Sequence, residues 1–252
     1  MEIHSNDFKA RAREALANPN LQKALKLVQV KFVPGRAAAA AEFGDFEALR
    51  DAGRDIRNRA LENLDLWLER FEQEATRRGA RVHWARDAAE ANAIIVGIAQ
   101  ANGVKKVVKS KSMVSEECGL NDALEAAGVT PVETDLGEYI LQINDHEPPS
   151  HIVAPVIHKT RDEVSDLFHA KHGKPRTEDI GALCREAREI LRPHFLSADM
   201  GISGANFLVA ETGSTVIVTN EGNGRLCTTV PRIHVALTGI EKVVPTLEDL
   251  SV

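Results

Sequence analysis

The sequence predicts an α/β protein: a mainly parallel sheet flanked by helices, preceded by an N-terminal helical arm. Three features predict it. From residue 6 to about 79 the pattern is helical, Ala-rich and heavily charged, with almost no clusters of β-branched residues. Beyond Gly79, short apolar runs alternate with helical stretches, the rhythm of β-α-β units. In the last third, four short apolar runs are separated by Gly, Asn and Pro, so further strands are expected there with few helices between them. The expected division is an arm over 1–79 and an α/β domain over 80–252.

Within the arm, Ile56, Ala60, Leu64, Trp67, Leu68 and Phe71 share one helical face at three- and four-residue spacing, which predicts a core-facing stripe. Pro34-Gly35 is expected to break or kink the helical run, and Gly79 to stop it. The next elements are a strand over 81–84, a helix over 87–102 capped by Asp87, a strand over 106–109 and a helix over about 115–127. A strand through Val129, Val132 and Thr134 completes two consecutive β-α-β units. Residues 144–150, rich in Pro, Asp and Glu, read as a loop, and Ile152-Val153 begins another extended run. Helices are expected over 161–172 and 180–197, and strands over 207–210, 215–218, 234–237 and 242–244.

Composition narrows the function classes. A formal net charge of -6 argues against nucleic acid as main partner, because phosphate neutralisation needs a concentrated surplus of Lys and Arg. A small molecule or another protein fits better. No apolar run approaches the roughly 20 residues that span a bilayer, and residues 1–7 lack the basic-then-apolar pattern of a secretory leader. The three cysteines, Cys118, Cys184 and Cys227, form neither a disulfide framework nor a Cys-x-x-Cys motif, so a reducing, cytoplasmic setting is the default expectation.

Polar side chains gather beside predicted strand ends in three places. Residues 109–116 offer Lys109, Lys111 and Ser112 where a strand meets a helix, a cradle for a carboxylate or phosphate; alternatively Ser115 caps the helix and the lysines are solvated. Residues 133–139 hold three carboxylates, with Glu133 and Asp135 as candidates, and such crowding requires either splaying into water or a basic site. The glycine-rich segments 201–206, 210–214 and 220–225 contribute Glu211, Thr212, Gly213, Asn220, Glu221, Asn223 and Arg225, although they also suit hairpin turns. Glu211 follows an apolar run, so a carboxylate there needs a partner such as Arg225 or Lys159. His158 and Lys159 follow another short extended run and could exchange protons near neutral pH. His169 and His172 lie one helical turn apart without an obvious third ligand, so no metal site is assigned.

At these loops the sequence resembles a known family. The runs KSKSMVSEE, VETDLGEYI, PSHIVAPVIHKTRDEV, ADMGISGANFLVAETGSTVIVTNEGNGR and TTVPRIHVALTGIEKVVPTLEDL closely resemble the lactate-utilisation (LUD) domain of LutB-type proteins, in order and over nearly the whole chain. The resemblance implies a NagB/RpiA/CoA-transferase-like core. It also implies a place in a three-protein cytoplasmic system that oxidises L-lactate to pyruvate, with companion lactate-utilisation proteins as partners. Members of the family usually continue into two Cys-x-x-Cys-x-x-Cys-x-x-x-Cys-Pro runs that hold 4Fe-4S clusters. Neither run occurs in these 252 residues, so no cofactor is assigned to them.

On this basis Lys109, Lys111 and Ser112 are expected to bind a small anion, lactate among the candidates. His158 and Lys159 would handle protons or charge, and Glu211, with Asn220 and Arg225, would orient the ligand. Two alternatives stand beside this expectation. A CoA-transferase-like or phosphosugar-type enzyme would use Glu211 as nucleophile or base. A non-catalytic domain would dock redox partners through the helical arm.

Overall fold

A computed structural model describes residues 7–151, 154–219 and 221–252. The arm comprises four helices. α1 (Phe8–Ala17) gives way at Asn18, whose side chain accepts from the Leu21 N–H and caps α2 (Pro19–Glu42), with Pro19 in the first helical turn where its missing N–H costs nothing. α2 runs through Pro34, so the expected break does not occur there. The carbonyl deprived of its partner belongs to Val30, which is exposed, and water can take the place of the absent donor. The break falls instead at Gly44, which adopts a φ of +87°, and Asp45 caps the next helix.

α3 (Phe46–Glu62) and α4 (Leu64–Arg77) carry the predicted stripe, divided at Asn63. Both halves of the stripe are core-facing. Ile56 packs with Val209 and Val244, while Leu64, Trp67, Leu68 and Phe71 pack with Leu208, Ala210 and Val243. What they cover is a small second sheet formed late in the chain. Residues 81–84 form no strand: they pair with no neighbour, and Trp84 lies exposed with its indole N–H donating to Glu72.

The principal sheet begins after α5 (Ala88–Ala101), capped by Asp87 as expected. β1 (Lys106–Lys109) leads to α6 (Met113–Glu117) and α7 (Leu120–Ala126), which replace the single predicted helix because Gly119 takes a φ of +65° between them. β2 (Thr130–Glu133) follows, then α8 (Leu136–Ile143), α9 (Arg161–His172) and α10 (Ile180–Ser197). α9 starts with a reciprocal capping box between Thr160 and Glu163. β3 (Met200–Ser203) re-enters the sheet; β4 (Phe207–Val209) and β5 (Ser214–Val216) leave it; α11 (Asn223–Thr229) and β6 (Ile233–Ala236) return; β7 (Val243–Val244) closes the chain's strands. The order β2-β1-β3-β6 is parallel throughout, with Val108 opposite both Val132 and Gly201. The second sheet is β5-β4-β7, antiparallel and then parallel.

Alternate residues of β1 separate the core into two layers. Val108 joins Val132, Phe168, Leu191 and Phe195 on one face, and Val107 joins Ile95, Leu120, Leu124 and Ile202 on the other. A parallel sheet buried on both faces needs apolar residues at consecutive positions, and Val107-Val108 supplies them.

Three elements were not anticipated: α8, β3 and α11. The glycine-rich stretch at 201–206 reads as a loop, yet Gly201 is a central strand residue. A Cβ there would stand 1.8 Å from the Cys227 carbonyl oxygen, so the glycine serves the close approach of α11 to β3 rather than a turn. The run Ile152-Val153 lies outside the described residues.

Gly213 fastens the arm to the second sheet. Its φ is +64°, and a Cβ would lie 2.2 Å from the Ala75 nitrogen of α4. Gly213→Ala should therefore lower stability by about 2–4 kcal/mol, combining left-handed strain with overpacking. A urea midpoint within error of the parent's would contradict this packing.

Candidate functional site

The C-terminal ends of β1 and β2 lie side by side, and the residues leaving them are held by buried polar bonds. Lys109 is 1% exposed and Glu133 6%. The Lys109 ammonium donates to Glu133 Oε1 at 2.6 Å and to Asn121 Oδ1 at 2.7 Å, and Asn121 Nδ2 donates to the same Glu133 oxygen at 2.8 Å. Lys109 thus lies inside an ion pair that ties two strands to α7. Thr134 Oγ1 donates to the Lys109 carbonyl at 2.6 Å, and Gln142 of α8 bonds the Glu133 N–H and the Pro131 carbonyl.

Beyond the edge, helix starts aim the next side chains. Ser112 caps α6 by accepting from the Ser115 N–H, so the capping role falls to Ser112 and not to Ser115. Asp135 caps α8 through Oδ1 to the Gly137 N–H at 3.1 Å. That start places Glu138 in the first turn, flanked by the buried Tyr139, Ile140 and Leu141. Glu138 is 7% exposed, and Lys111 Nζ lies 2.8 Å from its Oε1. Its other oxygen, Oε2, is buried with no hydrogen-bond partner.

Glu138 lines a cavity of about 170 Å³ together with Glu116, Ser150 and His151; Met113, Pro149 and Pro155 supply its apolar walls. Pro155 packs so closely on the first turn of α8 that a Cβ at Gly137 would lie 2.6 Å from its Cγ. The cavity opens at the C-terminal strand ends, where parallel α/β sheets hold ligands. Its carboxyls resist ionisation. Burial, and then the adjacent Asp135, push Glu138 up to about 8 against the pull of Lys111. Burial and then the charge of Glu133 raise Glu116. Glu221, just ahead of α11, is raised by desolvation and by Asp135, and is opposed by the Leu136 N–H and Lys111. The arrangement therefore offers one carboxyl pushed up to about 8, a second raised by burial, and a cation around a small space.

The expected residues divide into three groups. Lys111, Ser112, Glu133, Asp135 and Glu221 gather around this edge with Lys109 beneath them. His158 and Lys159 form a neighbouring cluster, in turns before α9, around Glu147. His158 Nε2 lies 2.9 Å from Glu147 Oε1, Lys159 Nζ 2.6 Å from Oε2, and His158 Nδ1 2.6 Å from Ser150 Oγ on the cavity wall. Burial opposes ionisation of Glu147, but hydrogen bonds from Lys159, Asn144 and His158 outweigh it and hold its carboxyl below the ordinary range.

Glu211, Thr212 and Gly213 sit elsewhere, at the β4–β5 turn of the second sheet. Glu211 lies past the last paired residue of β4 and is exposed, and Oε2 accepts from the Leu247 N–H at 3.1 Å rather than meeting Arg225 or Lys159. The Thr212 carbonyl accepts from Arg78 at 2.7 Å. Asn223 and Arg225 belong to α11 rather than to a hairpin, with Arg225 exposed, and Asn220 lies outside the described residues.

Glu138, Glu116, Ser150 and His151 were not among the expected site residues. The spacing Asp135-x-x-Glu138 ahead of Tyr-Ile-Leu was the available signal, since it marks a capped helix start with a first-turn glutamate beside the end of β2.

Two histidines are committed to other structure. His169 Nδ1 lies 2.6 Å from the Lys174 carbonyl oxygen. His172 sits in the core, 2.8 Å from the Tyr139 hydroxyl and 2.7 Å from Glu186 Oε1, and the Tyr139 hydroxyl is pushed up to about 12 by burial and by Glu186. Among the described residues no group of three or more His, Cys, Asp or Glu is arranged to hold a metal. Cys118 is half-buried, Cys184 exposed and Cys227 buried on three different elements, so these residues do not fit an iron-sulfur cluster. No helix among the described residues is long and apolar enough to cross a membrane.

Residues 68–252 match the LUD domain family. The chain belongs to that family. The LUD match takes in the strand ends, the cavity, the second sheet and most of α4. Over all 252 residues the chain is 44% identical to Lactate utilization protein B of Bacillus licheniformis, 45% to that of Lysinibacillus sphaericus and 44% to that of Bacillus subtilis. It spans 53% of each of these proteins, about half of their length. No solved structure matches.

The internal pair yields a stability test. Lys109→Met strands a buried carboxylate and should cost about 3–5 kcal/mol, whereas the double variant Lys109→Met/Glu133→Gln should recover most of that loss. Urea denaturation of the single and double variants reads both values, and equal loss in the two would show that the pair is not coupled.

Proposed function

We propose that this LUD domain works in lactate utilisation and that its cavity beside Glu138 receives a small carboxylate of the 2-hydroxy-acid type. The observation that carries the reading is the 44–45% identity, across the full span of 252 residues, to proteins named Lactate utilization protein B. The cavity's chemistry supports it. At about 170 Å³ it falls below the roughly 300–1,000 Å³ of sites for drug-sized ligands, so it suits an acid of a few heavy atoms better than a nucleotide carrier. Lys111 supplies positive charge beside it, and Ser150 on its wall supplies a hydroxyl for ligand oxygens.

Oxidation of L-lactate to pyruvate removes two electrons and two protons. Under this reading these residues bind and orient the acid, while the groups that take the electrons come from further sequence or from companion lactate-utilisation proteins. His158, joined to the wall through Ser150 and steadied by the Glu147 carboxylate, stands where it can take a proton from the cavity.

Calorimetric titration with L-lactate and pyruvate tests the assignment. Both should bind the 252-residue chain, and Lys111→Ala should weaken binding at least about tenfold, the equivalent of about 1.4 kcal/mol, with the urea midpoint little changed. Absence of binding to the parent chain would remove the cavity from consideration as a hydroxy-acid site.

A further inference from the structure

We propose that Ser150 is a nucleophile activated by His158 and oriented through Glu147, and that it accepts a short acyl group from an ester or thioester presented at the cavity. The proposal goes beyond the hydroxy-acid reading and does not rest on it. Its basis is the order of three side chains. Ser150 Oγ lies 2.6 Å from His158 Nδ1, and His158 Nε2 lies 2.9 Å from Glu147 Oε1. A hydroxyl, an imidazole and a carboxylate in hydrogen-bonded sequence form the arrangement that activates a serine.

The direction of the hydrogen bonds follows from the far end. Burial opposes ionisation of Glu147, yet bonds from Lys159, Asn144 and His158 hold its carboxyl below the ordinary range. Lys159 Nζ lies 2.6 Å from Oε2 and Asn144 Nδ2 donates to the same oxygen at 2.5 Å, so Oε1 is turned to the imidazole. A carboxylate only accepts, so the proton of the neutral ring sits on Nε2 and Nδ1 keeps a lone pair. The Ser150 hydroxyl is then the donor to Nδ1, as a serine about to lose its proton must be. Its second acceptor, the Pro155 carbonyl, is farther away at 3.2 Å, and the Ser150 N–H donates to that same carbonyl at 3.0 Å, holding the serine opposite His158.

Access suits the role. The His158 side chain is 14% exposed and largely shielded from competing water, whereas Ser150 is exposed and lines the cavity. Met113, Pro149 and Pro155 wall a space of about 170 Å³, which fits an acyl group of a few heavy atoms and leaves the departing alcohol or thiol outside. In the first step Ser150 Oγ bonds to the acyl carbon while its proton passes to His158 Nδ1. The bond from that carbon to the leaving oxygen or sulfur breaks, and the leaving atom departs with the proton from His158. Water then attacks the acyl-serine, gives a proton to His158, and releases the acid as the serine oxygen takes that proton back.

Two probes test this on the 252-residue chain. With p-nitrophenyl acetate the parent should release a burst of one p-nitrophenolate per chain, and an alkyl fluorophosphonate should add once, at Ser150, by peptide mass spectrometry. Ser150→Ala should lose the burst and the adduct, and His158→Gln should slow both by about a hundredfold or more, with urea midpoints reporting that the variants fold. Nitrogen-15 NMR of the parent's imidazoles, with His158→Gln identifying the missing signals, should show His158 protonated on Nε2 alone, and Glu147→Gln should shift that pattern while slowing the burst.

A parent chain with neither burst nor adduct, labelling that persists in Ser150→Ala, or a His158 proton resting on Nδ1 would overturn the assignment. Binding of L-lactate without a burst removes the nucleophile alone, and a burst without binding of L-lactate or pyruvate removes the hydroxy-acid reading alone.

Discussion

The buried pair of Lys109 and Glu133 is the constraint on which the candidate site depends. Two adjacent parallel strands end at the same level, and each contributes a charged side chain that points away from water. Neither charge is tolerable alone in that setting, so the strands cannot slide without stranding one of them. Asn121 adds α7 to the arrangement, and Gln142 adds α8 through the backbone of β2. The helices whose first turns form the cavity wall are thereby referred to a common origin. Lys111 and Asp135, two residues beyond the paired Lys109 and Glu133 respectively, inherit their positions from it.

The molecule solves a second problem with its arm. After β3 the chain leaves the parallel sheet, builds β4 and β5, and rejoins the sheet only through α11 and β6. A three-stranded sheet of short strands has little capacity to bury its own apolar surface. The helices α3 and α4 provide the missing layer, so residues from the first third and the last fifth of the sequence share one core. α1 and α2 stand outside it, with no buried residue in either helix.

Much of this was legible in the residues. Periodicity located α3, α4, α5, α9 and α10, and the β-branched runs located β1, β2 and the four late strands, because each of these elements buries a face with a regular spacing. The misreadings share a cause. Gly201, Asp135 and Asn223 belong to residue types that also make turns, and only their tertiary neighbours decide between uses. Gly201 is a strand residue because the Cys227 carbonyl needs its space, and Asp135 is a cap because an apolar run follows that can pack as a helix. The strand expected at 81–84 failed although its composition suits a sheet: Val82 packs beside the second sheet with Leu208 and Val243, but the segment pairs with no strand. The site was legible in part. Lys111, Ser112, Asp135 and Glu221 stood out as polar residues beside strand ends, whereas the placement of Glu211 in a separate sheet depends on a crossing that local sequence does not encode. The resemblance to the LUD family was carried by the same loop strings that prove to surround the strand ends.

One feature of α8 constrains how this domain can respond to whatever occupies it. Glu138 and Tyr139 are consecutive on a helix of barely two turns, one bordering the cavity and the other wedged against Phe168 and His172 in the interior. So short a rod cannot flex between adjacent residues. Any displacement of the wall is delivered to the aromatic packing behind it, and the stiffness of that packing is returned to the wall. The interior acts as the spring against which the binding surface is held.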